Sequence, residues 1–180
     1  MDVAVIGAGG EVGREVCAQL IEASVVTHED TLQLVTHRGG PSELGVHGLL
    51  VDLKDAFSEL APELSVAFTP EEVKADVIIF LAGPSIPHDP NAAMTRQDLG
   101  TKTLPIFQYW AQGLAEHGTG RELVLVQSNP VELGVKVFSD ALGRHRVLGA
   151  AAYNDSLRFR REIANEAEVS RCDVAGFVLG

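Results

Sequence analysis

Cysteine, cationic charge and long apolar runs are all scarce in this sequence. Only two cysteines, Cys17 and Cys172, occur among 180 residues, and they do not form a CxxC pair. This pattern excludes a disulfide scaffold and a thiolate zinc site, and it is typical of a reducing compartment. Fourteen Lys and Arg stand against 25 Asp and Glu, which gives a net charge of −11. Such an acidic surface argues against nucleic acid or an anionic membrane as a partner, since both bind cationic faces.

No apolar run approaches the length of a membrane span, and Asp2 stands where a signal peptide would carry basic residues. Hydrophobic residues nevertheless make up 46% of the chain, which is enough to form a globular core. The histidines are scattered without metal-binding spacing, so we expect no metal site. The composition therefore predicts a soluble, single-domain, cytoplasmic protein.

Short apolar runs alternate with stretches of helical period. The runs are residues 3–6, 32–35, 77–82, 123–127 and 174–179. Because most are nearly continuous, they predict strands covered on both faces, as in a parallel sheet. The repeat of Val12, Val16 and Leu20, with Cys17 and Ile21 beside them, predicts one buried helix face. Further helices are expected over 96–117, with a kink or break at Pro105, and over 155–167. The alternation predicts an α/β fold with a doubly wound, mostly parallel sheet and ligands at the carboxyl ends of its strands.

A glycine-rich segment follows the first run directly. Glycines at positions 7, 10 and 13 of the segment GAGGEVG give G-x-x-G-x-x-G, a variant of the dinucleotide fingerprint. Such a loop makes a tight strand-to-helix turn and lets a pyrophosphate approach the helix N-terminus. The predicted cofactor-binding residues here are Gly7, Gly9, Gly10, Glu11, Val12 and Gly13. The alternative is a tight turn that binds nothing.

The end of the second run lacks the acid that usually binds the adenosine ribose hydroxyls. Thr36 and Arg38 stand there instead, and we assign both as cofactor-binding residues. Because an arginine attracts a ribose 2′-phosphate, the cofactor is predicted to be NAD or NADP, with a lean towards NADP. The alternative is that Arg38 is a solvated loop residue.

Four further segments appear in order along the chain: DVIIFLAG at 76–83, MTRQDL at 94–99, QSNPV at 127–131 and NDSLRFR at 154–160. With the glycine loop, this set resembles the NAD-binding half of the malate/lactate dehydrogenase family over essentially the whole chain. The resemblance implies a Rossmann-type dinucleotide-binding domain over residues 1–180. It also implies hydride transfer between a nicotinamide cofactor and a small 2-oxo or 2-hydroxy acid, and a homo-oligomer.

The resemblance also implies roles for single residues. Arg96 would polarise the substrate carbonyl from a mobile loop, Arg158 would grip the substrate carboxylate, and Asp155 would orient a histidine acid/base. Asn129 would hydrogen-bond the substrate carbonyl. The further cofactor contacts implied are Ala82, Gly83 and Asn129. Without the other motifs, Asp155 and Arg158 would be read as a surface helix pair and Arg96 as a solvated helix start.

The sequence departs from the family pattern at three places. Ile86 stands where an arginine selects dicarboxylates in the family, in a loop that carries the insertion PHDP. This puts malate specificity in doubt unless His88 or another residue of the insertion substitutes for the arginine. Thr103 replaces a usual asparagine. The sequence ends at Gly180, before the Gly-x-His-Gly motif that holds the family's catalytic histidine. We therefore expect the C-terminal substrate domain to be absent from this chain and the chain alone to be catalytically incompetent.

Two other functions fit parts of the pattern. A non-catalytic dinucleotide-binding or sensing module would need only the glycine loop and its surroundings. A short-chain or epimerase-type reductase would need a Tyr-x-x-x-Lys pair, and neither Tyr109 nor Tyr153 is followed by Lys four residues later. The second alternative is therefore disfavoured.

Overall fold

A computed structural model describes residues 1–84 and 94–178. In this part of the chain the strands are β1 Val3–Ile6, β2 Thr31–Val35, β3 Glu63–Ala67, β4 Val77–Phe80, β5 Leu123–Val126 and β6 Val147–Gly149. The helices are α1 Glu11–Glu22, α2 Pro41–Ala56, α3 Arg96–His117, α4 Val131–Leu142 and α5 Ala151–Ala167. Short 3₁₀ turns cover Pro70–Glu72, Arg144–Arg146 and Arg171–Asp173.

The chain divides into two compact units, Met1–Leu148 and Gly149–Gly180. The strands form one sheet in the order β3-β2-β1-β4-β5-β6, and the pairs from β3 to β5 are parallel. The chain thus winds outward from β1 in both directions, and helices α1, α2 and α4 pack on the strands. This confirms the predicted α/β, doubly wound, parallel fold.

The core of the first unit is built on the central strand. All four residues of β1 are buried, and Ile6 pairs with Val35 on one side and with Phe80 on the other. Phe80 also packs against Phe107 and Phe138, with ring centroids 5.6 and 4.9 Å away, which fastens α3 and α4 to the sheet. This packing fixes the carboxyl ends of β1, β4 and β5 relative to one another.

Helix α1 buries most of the predicted face, because Cys17 and Ile21 are buried and Val16 and Leu20 pack against the core, but Val12 lies outside it. Its buried residues are Gly13, Cys17 and Ile21, whereas Val12 is 60% exposed. Gly13 lies against the preceding loop, where a Cβ would be 2.2 Å from the Gly7 carbonyl oxygen, so this side of the first turn faces inward and Val12 does not. Burial raises the pKa of the Cys17 thiol to about 12, so this thiol stays a neutral core group.

Two other sequence predictions are wrong. No strand covers the described residues 174–178, because the chain after α5 forms the 3₁₀ turn Arg171–Asp173 and then runs without ladder pairing; Leu179 lies outside the described residues. Helix α3 runs without a break through Pro105, held by buried residues after the proline such as Phe107 and Trp110, so the predicted break is wrong and a kink there stays a prediction. Within the described ranges, no helix has the length and apolarity that a membrane crossing needs.

Candidate functional site

The glycine loop joins β1 to α1 and is hydrogen-bonded to the end of β2. The Gly7 and Ala8 N–H groups both donate to the Val35 carbonyl oxygen, at 2.8 and 3.2 Å. Gly7 has a φ of +98°, a conformation that L side chains rarely adopt. The turn thus directs the chain from the sheet edge into α1 and holds the loop against the neighbouring strand.

Close backbone contacts explain two of the glycines. A Cβ on Gly7 would lie 2.8 Å from the Ala82 nitrogen, and a Cβ on Gly13 would lie 2.2 Å from the Gly7 carbonyl oxygen. Gly10 is different, because its nearest neighbour would be 3.4 Å away. The space beside Gly10 therefore stays open at the start of the helix, which is where a phosphate would approach.

The N-terminus of α1 presents its backbone amides to this open space. Gly10 is the N-cap in an extended conformation, and within the described residues no side chain caps the helix. The first-turn N–H groups and the helix dipole make this end attractive to an anion. Glu11 lies in the same turn and is exposed, so its carboxylate can stay in water.

The end of β2 carries Thr36 and Arg38 in different environments. Thr36 is buried, and its hydroxyl donates to the Ser42 Oγ at 2.8 Å at the start of α2. The Arg38 side chain is 63% exposed and lies 4.3 Å above the centre of the Phe68 ring. Its guanidinium lies 3.6 Å from the Glu72 carboxylate, so the arginine already has an acidic neighbour. Glu72 was not among the residues predicted from the sequence.

A cleft of about 260 Å³ opens at the carboxyl ends of β4 and β5, beside the glycine loop. Its lining includes the predicted residues Val12, Gly83 and Asn129. The other lining residues are Leu81, Pro84, Leu99, Gln127 and Ser128, which the sequence analysis did not assign. Most of these directly follow a strand, and that position was the signal that could have identified them. The cleft lies where the strand order reverses, which is the usual place for a ligand in such sheets.

Arg96 begins α3 and is ion-paired. The N-cap Thr95 and Asp98 bond each other reciprocally, and the Thr95 hydroxyl and backbone hold the pKa of Asp98 below its usual range. The Arg96 guanidinium donates to the Glu132 carboxylate through Nε at 3.1 Å and Nη2 at 2.6 Å. Glu132 lies in the first turn of α4, three residues after Asn129. The carboxylate partner of Arg96 was not anticipated from the sequence.

Asp155 and Arg158 belong to the second unit. They lie one turn apart on α5, and Arg158 Nη1 donates to Asp155 Oδ1 at 3.1 Å. Both side chains are more than half exposed, so this ion pair contributes little to stability. The pair confirms that the two residues share a helix face, while their predicted catalytic and substrate-binding roles stay predictions.

Three further expectations concern Ile86 with its insertion, Thr103 and a metal site. Ile86 and the insertion at 87–90 lie outside the described residues. Thr103 is buried and donates its hydroxyl to the Leu99 carbonyl, within its own helix. Among the described residues, no cluster of three or more His, Cys, Asp or Glu could hold a metal ion.

Comparison with known proteins identifies the family. Residues 1–149 match the family model of the lactate/malate dehydrogenase NAD binding domain. The chain is 44% identical to malate dehydrogenase of Sorangium cellulosum over 108 residues, which are 59% of this chain and 33% of that relative. It is 30% identical to L-lactate dehydrogenase of Latilactobacillus sakei over 157 residues, which are 81% of this chain and 47% of that relative.

This chain is also similar to a solved structure of the same family. Malate dehydrogenase from Plasmodium falciparum superposes with a TM-score of 0.79 at 26% identity, covering 100% of this chain and 54% of that one. The chain thus spans between one third and about half of the length of these relatives. The chain belongs to the lactate/malate dehydrogenase family, and its residues 1–149 are that family's NAD-binding domain.

Proposed function

We propose that this chain binds a nicotinamide dinucleotide across the carboxyl edge of its sheet, as the cofactor half of a 2-hydroxy-acid dehydrogenase. The observation that carries this proposal is the position of the glycine loop. Its uncapped helix start opens beside Gly10, and Val12 in the same turn lines the cleft at β4 and β5. A phosphate site and a neighbouring apolar cleft along one edge suit an elongated dinucleotide.

Different residues along this edge bind different parts of the dinucleotide. The first-turn amides of α1 bind the pyrophosphate, and Gly10 leaves the room for it. Thr36 and Arg38 lie towards the adenosine ribose, and Ala82, Gly83 and Asn129 lie towards the nicotinamide. When bound, the cofactor supplies or accepts a hydride. Val12 and Leu99 present apolar surface in the cleft, which excludes water from that end.

For the substrate, we propose that Arg96 stabilises the developing charge on the carbonyl oxygen of a 2-oxo acid, with Asn129 as a second donor. Arg158 binds the substrate carboxylate, and Asp155 orients the histidine acid/base of a longer form of the protein. Arg96 is bound to Glu132 through two nitrogens of its guanidinium. It must therefore release that carboxylate before it can serve a substrate.

NAD is the cofactor of the family model that this chain matches. The lean towards NADP rests on Thr36 and Arg38 in place of the usual acid and stays a prediction. It is weakened by Glu72, because a carboxylate within 3.6 Å of the arginine competes with a ribose 2′-phosphate. A homo-oligomer and a cytoplasmic location also stay predictions, and light scattering of the purified chain tests the first.

Calorimetric titration of NADH into the purified chain tests the proposal, with a parallel assay of 2-oxo-acid reduction. We expect binding without turnover, since none of the six histidines in this sequence follows a strand in a Gly-x-His-Gly motif. Repeated turnover by the 180-residue chain would refute the predicted incompetence. Binding here, together with no activity in any longer form, would favour the non-catalytic module.

Gly10→Asp is the sharpest variant. Aspartate is a good N-cap and fits the open space at Gly10, so the thermal stability should stay the same or rise. Its charge should repel the pyrophosphate and weaken NADH binding by about tenfold or more. Gly10→Ala is the matched uncharged control and should lose much less affinity. Equal losses in the two variants would show that charge at this helix end does not matter.

A further inference from the structure

The adenosine end of the proposed cofactor site contains an acidic residue, Glu72, that lies in the connection after β3 and not at the end of β2. Glu72 closes the 3₁₀ turn after β3, and its Oε1 lies 3.6 Å from Arg38 Nη2. Arg38 follows β2, where the family's usual acid is missing. The structure therefore provides a carboxylate beside this arginine although the β2 terminus itself has none.

The Glu72 carboxylate is held in position. Its second oxygen, Oε2, accepts the Phe68 N–H at 2.6 Å, so only Oε1 faces the arginine. The turn itself is fixed by buried Gln33, whose amide donates to the Glu72 carbonyl at 2.9 Å and accepts the Lys74 N–H at 3.0 Å. The bonds to Gln33 tie the backbone of Glu72 to the middle of β2, and the Phe68 N–H holds one oxygen of its carboxylate.

Arg38 and Glu72 lie at the same edge of the sheet as the glycine loop. Thr36 N–H donates to the Ala67 carbonyl at 3.1 Å, which joins the ends of β2 and β3. The Gly7 N–H donates to the Val35 carbonyl at 2.8 Å, which joins the end of β2 to the glycine loop. Arg38 also stacks on Phe68 from β3's connection. A ligand that extends from the glycine loop past β2 therefore meets Arg38 and Glu72 together.

We propose that Glu72 is a specificity-determining residue that lowers the affinity for a 2′-phosphorylated dinucleotide by competing for Arg38. This inference rests on the proposed function, that the chain binds a nicotinamide dinucleotide. A 2′-phosphate would have to displace the carboxylate from the guanidinium and then lie close to its negative charge. A ribose with free hydroxyls carries no such charge and is unaffected. A prediction from Arg38 alone therefore overestimates the attraction of this site for a 2′-phosphate.

The test compares the affinities for NADPH and NADH by calorimetry at low salt. Glu72→Gln keeps an oxygen that can accept the Phe68 N–H but removes the charge. It should raise the affinity for NADPH relative to NADH by about threefold or more, as expected for an exposed ion pair. The gain should shrink at high salt, because exposed charges are screened. Glu71→Gln is the matched control, since Glu71 faces His117 at 3.5 Å and should leave the ratio unchanged.

Arg38→Ala and the double variant Arg38→Ala/Glu72→Gln complete the cycle. If Glu72 acts by occupying Arg38, its removal should change the ratio much less when the arginine is absent. An unchanged ratio in Glu72→Gln, an equal change in Glu71→Gln, or the same gain without Arg38 would each overturn the inference while the proposed function stands. Failure of the wild-type chain to bind either dinucleotide would instead overturn the proposed function, and this inference with it.

Discussion

The replacement of Gly13 by alanine tests whether packing in the glycine loop requires glycine at this position. Alanine is the better helix former, so a loss of stability would have to come from the packing. A Cβ at this position would lie 2.2 Å from the Gly7 carbonyl oxygen and 2.7 Å from the Ala8 Cα. Both are backbone atoms, so no side-chain rotation relieves the overlap. Overpacking in such a place costs up to about 3 kcal/mol, whereas Gly-to-Ala in a helix gains at most about 1 kcal/mol. The net expectation is a loss of about 2 kcal/mol.

Gly48→Ala is the matched control. Gly48 lies in the middle of α2, and a Cβ there would meet nothing within 4 Å. The helix-propensity gain of about 1 kcal/mol should therefore appear without a penalty. For a chain of this size, about 3 °C in Tm corresponds to 1 kcal/mol. Gly13→Ala should thus lower the Tm by about 6 °C, and Gly48→Ala should raise it by about 3 °C.

Thermal unfolding followed by far-UV circular dichroism measures both shifts, and NADH titration follows on the same samples. Gly13→Ala should also weaken NADH binding by about tenfold, because relief of the overlap moves the loop that carries the phosphate-binding amides. Gly48→Ala should bind as the wild type does. A Tm for Gly13→Ala equal to or above that of the wild type would refute the argument that this glycine is required by packing.

Two further predictions concern a largely buried ion pair and the substrate. Glu122→Gln should lower the free energy of unfolding by about 3 kcal/mol at neutral pH. The variant leaves Arg146, whose side chain is only 12% exposed, without the carboxylate that lies 2.7 Å from its guanidinium. Burial opposes the ionisation of Glu122, but hydrogen bonds from its own backbone and Thr119, together with Arg146, outweigh it and lower the pKa. This stabilisation is present above about pH 4.3 and is lost as the pH falls through the lowered pKa, so chemical unfolding should show the variant and wild type converging in acid. In an active, longer form with Ile86, the ratio of kcat/KM for oxaloacetate to that for pyruvate should stay below about a thousand, and Ile86→Arg should raise this ratio. A larger ratio in the parent would show that another cation binds the second carboxylate.

The sequence by itself determined the framework of the domain. The runs that became β1, β2, β4 and β5 are nearly continuous in apolar residues, because a strand of a parallel sheet is covered on both faces. The glycine loop was identified from spacing, since a tight turn and close helix packing demand glycine at fixed positions. Gly83 and Asn129 were predicted through the family resemblance, and each lies three residues after the end of a strand.

Elements with weak local signals could not be predicted. Strand β3 is the mixed sequence ELSVA, and its central residues are only half-buried, so it lacks a continuous apolar run. Strand β6 has three residues, too few to show any period. Conversely, residues 174–178 are apolar but form no strand, because ladder pairing depends on a neighbouring strand that no local pattern reveals.

Only the tertiary structure decided which charges meet. Arg38 was found from its position after β2, but Glu72 reaches it from the connection after β3, through a turn that buried Gln33 holds. Arg96 likewise meets Glu132, which lies 36 residues away at the start of α4. A charged side chain looks the same in sequence whether it is solvated or paired, since ion pairing depends on the distance between two elements. The strand order brings those elements together, and it thereby places a carboxylate beside each of these two exposed arginines.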